Sequence, residues 1–501
     1  MKSKLLIILS AVILLFANGC SDYLDINHDP NALAEVPDVK VLLPAAEIAI
    51  ANNLMGWDFG FGGGFWVEYW TQGYTASQFK TLCEYLPQEF NTAYTSLTRE
   101  PLMDLQYIIE NTKDDENKGY YFVAEALSIF TWQIITDVWG DMPYSEALKG
   151  AEGILHPKQD KGEDIYADLS RRVDALLAID LNGSFLDAKY DYIYSGDLDK
   201  WYVFANSLKL KLMLRLSETS QYDNAKALNH IQNNDLLTSS AKIQGSVWDD
   251  AMEGKRHPMR EFEAGGANYF TTNVIACKSF FDYLMTNGDS RLGKLFSGTK
   301  AAFFGDFDSK EDADGNGTTD DKETYAKVIF DGKMDLMLMS DWEVNFYIAE
   351  VYARAGSALA KDFYEAGVKA SLTQQGITDY SILQTGYAQW LGGSTEEQIK
   401  QIAMQKWVAN CNYQHIESFL ERNRTKYPSV SEIDIKANRK TAWSNFPVGS
   451  LTISVNGREL LNGNLPASPL YPTSYTFRNN NAPSQKASVG VKVWWDKKQG
   501  K

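Results

Sequence analysis

The stretch from Tyr120 to Trp139, YYFVAEALSIFTWQIITDVW, is rich in helix formers and apolar nearly all round. A helix of that kind must be enclosed on most sides by other elements. It predicts a large helical core rather than a single amphipathic layer. Gly140-Asp141-Met142-Pro143 supplies its stop, with Gly at the C-terminal position and Pro soon after. Apolar residues at 3.6 periodicity predict further helices over 164–179, 199–216, 224–232, 341–355, 362–372, 396–410 and 413–421. In AEVYARAG and FYEAGVKAS, alanines fall where paired helices would cross. Such pairs suggest tetratricopeptide-like units, although their spacing is too irregular for a simple solenoid. The fold class expected is mainly α, with tetratricopeptide-like helix pairs, long irregular loop insertions and a little β. The loop-rich stretches are 235–268, 296–330 and 429–490, and loops this long usually carry function. Near the end, SLTISVNGREL alternates around Asn456-Gly457 and predicts a small hairpin.

The N-terminus bears on compartment. Lys2 and Lys4 precede an apolar run from Leu5 to Phe16. That is signal-peptide length, and too short for a span of roughly 20 apolar residues. It ends in Ala17-Asn18-Gly19-Cys20, which resembles a bacterial lipobox, with Cys20 as the lipidated residue. The following Ser21-Asp22-Tyr23-Leu24-Asp25 resembles the surface-export signal of Bacteroidota lipoproteins. The expected organisation is a signal peptide over 1–19 and one domain over 20–501. Its helical scaffold would cover about 20–233 and 341–428, with loop-rich insertions at about 235–340 and 429–501. The net charge is -17, more acidic still once Lys2 and Lys4 are removed. A chain this acidic, without an offsetting basic cluster, argues against nucleic acid as a partner. Cys83, Cys277 and Cys411 are too few for a disulfide framework and read as buried thiols.

No catalytic pattern emerges. The five histidines lie outside helical reach of one another, so there is no HExxH-type zinc pair. There is no G-x-S-x-G elbow and no P-loop. GFGGGF lacks the last glycine and the strand–helix context of a dinucleotide fingerprint. No organic cofactor is expected. One metal motif stands out: DADGNGTTDDKE at 312–323 fits D-x-D-x-N-G-x5-E in full. Ca2+ takes 6 to 8 oxygens in a flexible cage. Asp312, Asp314 and Asn316 would converge from one loop, and Gly317 permits the sharp turn. Thr318 would give a carbonyl, Asp320 a direct or water-mediated ligand, and Glu323 a bidentate carboxylate. Such a site would order the loop.

Aromatic rings outside the core would offer flat apolar faces to a ligand, with Asn, Asp and Arg for its polar edges. In FWVEYWTQ, Trp66 and Trp70 are four apart and would share a helix face, the spacing that core packing produces. After Gly73 the period breaks. Tyr74, Phe79 and Tyr85, with Trp57 just before the glycines, are the expected ligand-contacting aromatics. Trp248 and Trp390 stand in reserve.

Several motifs together resemble the SusD/RagB family. They are CSDYLDINHDPN at the lipobox, TDVWGDMPYSEAL at 136–148 and GDLDKWYVFANSLKLKLMLRLS at 196–217. NGDSRL at 287–292 follows, with Ser290 where the family usually has Pro. ERNRTKYP at 421–428 departs from the family element at Asn423 and Lys426, and YPTSY and VKVWW close the series. The resemblance runs from Cys20 almost to the C-terminus. It implies a nutrient-binding lipoprotein of the outer membrane facing outward, the lid of a SusC-like TonB-dependent transporter. It implies an oligosaccharide ligand or, in the RagB branch, a peptide. The rival from another class, a surface glycoside hydrolase, would need two carboxylates roughly 5 to 9.5 Å apart across one cleft.

Overall fold

The computed structural model describes residues 38–501, apart from 75, 115–116, 263–271, 308 and 322–323. Cys20 and the whole N-terminal segment lie outside the described residues. The main helices are α1 (Leu42–Leu54), α2 (Asn91–Arg99), α3 (Pro101–Asn111), α4 (Lys118–Trp139), α5 (Gly162–Leu177) and α6 (Leu198–Arg215). There follow α7 (Asn224–Asn233), α8 (Lys278–Thr286), α9 (Asp341–Arg354), α10 (Ala360–Gln374), α11 (Thr395–Asn410) and α12 (His415–Thr425). The apolar stretch singled out in the sequence is α4, with most of its side chains buried. It packs on α3 and α5, while α9 packs on both α10 and α11. Gly140 ends α4 at φ +85°, a conformation open to glycine at little steric cost. The described strands are short and form four two-stranded sheets. The hairpin expected around Asn456-Gly457 is replaced by a parallel pair, Leu451–Thr452 against Val430–Ser431. The Asn-Gly dipeptide sits in a run of turns with no returning strand.

The glycine-rich segment also differs from the expectation. The spacing of Trp66 and Trp70 predicts one helix carrying both after the glycines. Trp57–Gly62 is instead a π-helical turn that runs into a short α-helix, Gly63–Trp66. The glycines lie inside it because it rests directly on the start of α12. A Cβ on Gly63 would stand 2.8 Å from the His415 carbonyl carbon, and one on Gly64 would stand 2.8 Å from His415 Nδ1. His415 is buried and its pKa is held down to about 4 by desolvation. As a neutral ring its Nδ1 donates to the Gly60 carbonyl (2.6 Å), and its Nε2 accepts from the Asn412 amide (2.8 Å). The helix then stops, because Glu68 adopts φ +60°. Trp70 belongs to a strand and pairs with Ala276, so Trp66 and Trp70 share no helix face.

Between α4, α6, α9, α11 and α12 lies a buried ionic network. Arg215 reaches Asp137, Glu417 and Glu421, each at 2.8 Å. Lys211 bridges Glu343 (2.7 Å) and Glu417 (2.8 Å), and Arg424 holds Glu350 (2.6 Å) and Glu421 (2.8 Å). Lys406 on α11 stands 3.1 Å from Glu421, so the helical scaffold is tied through paired charges as well as apolar packing.

Candidate functional site

The structure separates the four aromatic candidates. Phe79 and Tyr85 were expected near solvent, yet each is only 2 % exposed. The short helix Lys80–Cys83 folds this segment inward. Phe79 stacks on Phe61 (5.1 Å, 10°) and on Trp57 (5.3 Å, 29°), and packs on Phe65 (4.8 Å). Tyr85, at φ +60°, turns its hydroxyl into the core, where it accepts from the Ser454 amide at 3.1 Å. Both rings are core, and neither offers a free face to a ligand. Among the reserves, Trp248 is also buried, edge-on to His257 at 5.4 Å. Trp390 is half-buried against Tyr364 at 4.9 Å.

Tyr74 is half-buried and packs edge-on to Tyr325 at 5.2 Å. With Ile275, Ala302, Ala313 and Trp443 the two tyrosines form a small separate cluster. That cluster joins Tyr74 to the acidic loop, since the Tyr325 hydroxyl donates to Asp320 Oδ2 at 2.6 Å. Within the loop, Asp312 accepts from the amides of Asn316 (3.0 Å) and Gly317 (2.9 Å). Asn316 Oδ1 accepts from Thr318 N at 2.7 Å, and Gly317 sits at φ +88°. Lys300 places its ammonium on Asp314, at 3.1 Å, and on Asp320. Although partial burial opposes it, Lys300 holds both carboxyls below their usual range. Among the described residues no three His, Cys, Asp or Glu converge on a metal-sized space. Glu323 lies outside the described residues.

Trp57 is the candidate that borders an opening. It is half-buried at the edge of a cleft of about 510 Å³. One face is covered by Phe79, and Phe262 lies tilted against it at 4.9 Å. Pro258 continues the apolar floor, and Asn52, Asp58, Glu100, Arg256 and Glu261 supply the polar rim. A cleft of this size, apolar with a few convergent polar groups, has the make-up of a small-ligand site. Its carboxylates are engaged in holding the walls. Asp58 accepts from Ala93 N at 2.8 Å at the start of α2, and burial raises its pKa despite that bond. Glu261 accepts from Gly254 N (2.8 Å) and pairs with Arg256 (3.2 Å). Glu100 accepts from the Ser96 hydroxyl at 3.2 Å. Phe262, Arg256 and Glu261 were not among the sequence candidates. The signal that could have found them is the cluster RHPMREF, one aromatic and several charges inside a long loop.

A family model described as SusD-like, "Starch-binding associating with outer membrane", matches residues 30–446. Among solved structures, a chitin-binding protein is 20% identical, covers 92% of this chain and 100% of its own, and superposes with a TM-score of 0.69. A SusD homolog from Bacteroides uniformis is 21% identical, with coverages of 91% and 99% and a TM-score of 0.68. A chitin-binding SusD homolog from Flavobacterium johnsoniae is 17% identical, with the same coverages and a TM-score of 0.69. Identities this low show a shared fold. No protein with a curated description matches the chain.

Proposed function

Since the chain belongs to the SusD-like family, we propose that it captures an oligosaccharide at the Trp57 cleft and delivers it to a SusC-like TonB-dependent transporter. In this reading a lipid on Cys20 anchors it to the outward face of the outer membrane. The observation that carries the proposal is the pairing of a half-buried Trp57 with Phe262 over an open, polar-rimmed cleft. The parts of these rings that border the cleft would take the apolar side of a sugar, while Asn52 and Arg256 are placed for its hydroxyl edges. The cleft carboxylates are tied to backbone amides, to Arg256 and to a serine, which suits a binding wall more than an acid–base pair. Among the described residues no helix is long and apolar enough to cross a membrane.

The test is a titration of the chain beginning after Cys20 with chito- and malto-oligosaccharides and with mixed peptides. Binding of a glycan, weakened at least tenfold in Trp57→Ala, is the expected result; that factor corresponds to about 1.4 kcal/mol or more. Clear peptide binding with no glycan binding would transfer the protein to the peptide-capturing branch. Turnover of a glycan, lost on substituting two facing carboxylates, would make it a hydrolase. The loop at 312–323 is proposed as a structural Ca2+ site. Asp312 already draws the loop around itself, and occupancy requires Lys300 to withdraw from Asp314 and Asp320. Weak affinity, about 10⁻⁴ to 10⁻³ M, suffices in an extracellular module.

A further inference from the structure

The chain is acidic overall, yet one cavity is strongly basic. It has a volume of about 410 Å³ and lies between the end of α12 and the C-terminal loops. Arg422, Lys426, Lys492 and Lys501 line it, against one acidic side chain, Asp496. Arg422 is the unusual member. It is 4 % exposed, and its Nε and Nη2 make no hydrogen bond. Its remaining nitrogen donates only to Asn423 Oδ1, at 3.3 Å. A buried guanidinium normally engages all its donors, because leaving them unmet costs the full desolvation of a charge. Desolvation accordingly draws its pKa down to about 10, with Asp496 and Glu68 opposing from a distance.

The other charges do not offset it. Asp496 gives Oδ1 to Lys426 at 2.6 Å, with Lys492 3.7 Å from the same oxygen and half-exposed at the mouth, and its Oδ2 is buried without a hydrogen bond. Lys501 pairs outward with Glu432 at 2.6 Å. The cavity therefore keeps an excess of positive charge, with the amides of Asn462 and Asn464 also on its wall. Structural cations in this chain look different. Arg215 and Arg424 meet carboxylates at every nitrogen they offer to the network. Excess cation in a concave, partly dry site favours an anion, and a guanidinium is suited to a bidentate oxyanion.

We propose that this cavity is a second binding site, distinct from the Trp57 cleft, for a ligand bearing a carboxylate or sulfate group. The site does not depend on the glycan reading of that cleft. Its cationic wall, with Asn462 and Asn464 beside it, admits either a free inorganic anion or the charged substituent of an acidic sugar.

Calorimetric titration of the chain beginning after Cys20 with sodium sulfate, D-glucuronate and D-glucose distinguishes these sources. Binding of sulfate and glucuronate without glucose supports the site with a general oxyanion. Binding of glucuronate alone supports it with a sugar acid, and binding of sulfate alone supports it with a free anion. Arg422→Gln is expected to weaken the bound anion about ten- to a hundredfold, the value of charge-assisted hydrogen bonds. Lys492→Ala, an exposed position that leaves the fold intact, is expected to weaken it about two- to fivefold. Trp57→Ala should leave anion affinity unchanged, which keeps failure here separate from failure at the cleft. No binding of either anion, or equal affinity in Lys492→Ala and the parent chain, would overturn the proposal even if Arg422→Gln did not fold.

Discussion

Arg215→Met removes one charge from the centre of the scaffold and keeps most of the apolar stem. Arg215 is 1 % exposed. Its Nε donates to Asp137 (2.8 Å), its Nη1 to Glu421 (2.8 Å) and its Nη2 to both oxygens of Glu417 (2.8 and 2.9 Å). After substitution Glu417 keeps Lys211, and Glu421 keeps Lys406 (3.1 Å) and Arg424 (2.8 Å). Asp137 keeps no cation, only the hydroxyl of Tyr166 and the amide of Gln133. Breaking a buried pair so that one charge is stranded costs about 3–5 kcal/mol. A chain of 501 residues unfolds with an entropy of about 1 kcal/mol/K. The expected fall in Tm is therefore about 3–5 °C at neutral pH, read by differential scanning calorimetry. The pH dependence sharpens the test. Burial raises Glu417, but Arg215, Lys211 and Lys406 outweigh it and hold its pKa at about 2. That depressed pKa contributes stability present above the unfolded value near 4.5 and lost as pH falls toward 2. Burial already raises Asp137 against the opposing pull of Arg215, and losing Arg215 raises it further. The variant then protonates Asp137 under mild acid and sheds the stranded charge. The gap between variant and parent should narrow from pH 7 to pH 5. A fall in Tm under about 1 °C, or a gap constant across that range, would refute the assignment of Arg215 as the central counter-charge.

Three further outcomes are expected. Gly64→Val places a Cβ 2.8 Å from His415 Nδ1, and overpacking of this kind costs about 1–3 kcal/mol; an unchanged Tm by calorimetry would show that close approach does not require glycine there. Glu68 is raised to about 8 by burial, against bonds from Ser279, Thr452 and Cys277, so its contribution is full below the unfolded value near 4.5 and is lost as pH rises through 8. The denaturation midpoint of the parent should fall between pH 5 and 9 while that of Glu68→Gln stays flatter, and parallel curves would contradict the raised pKa. Lys300→Ala frees Asp314 and Asp320, and Ca2+ affinity measured by calorimetry should rise several-fold, from about 10⁻⁴ to 10⁻³ M, and vanish in Asp312→Ala; no Ca2+ heat in either chain would remove calcium from the account.

How much could be read in advance depended on where each signal resides. The helix from Lys118 to Trp139 was legible because its own residues are apolar on every face. The helices at Leu198–Arg215 and Thr395–Asn410 likewise carry their periodicity locally. The stop after Trp66 was not legible. It depends on Glu68, whose carboxyl oxygen accepts from the Thr452 amide 384 residues away at 2.8 Å. No window around Glu68 contains that partner, so a spacing of four between Trp66 and Trp70 looked helical. The same holds for the expected hairpin at Asn456-Gly457, where Leu451–Thr452 finds a partner upstream at Val430–Ser431 instead.

Phe79 and Tyr85 are buried rather than near solvent for a related reason. Loss of period after Gly73 reports only the end of a regular element. Exposure is set by what packs on the segment. At Phe79 the packing comes from Trp57, Phe61 and Phe65 on the neighbouring glycine-rich turn. At Tyr85 it comes from the long loop that brings Ser454. Trp57 borders an opening because Phe262 leans on it at 4.9 Å without filling the cleft that Arg256, Pro258 and Glu261 line beside it. A different segment therefore sets the exposure of each ring: the glycine-rich turn for Phe79, the Ser454 loop for Tyr85 and the 256–262 stretch for Trp57. Ring count and spacing within 57–85 could not separate these residues. The discriminating contacts span up to 369 positions in the chain, and they are the part of the candidate site that only the fold supplies.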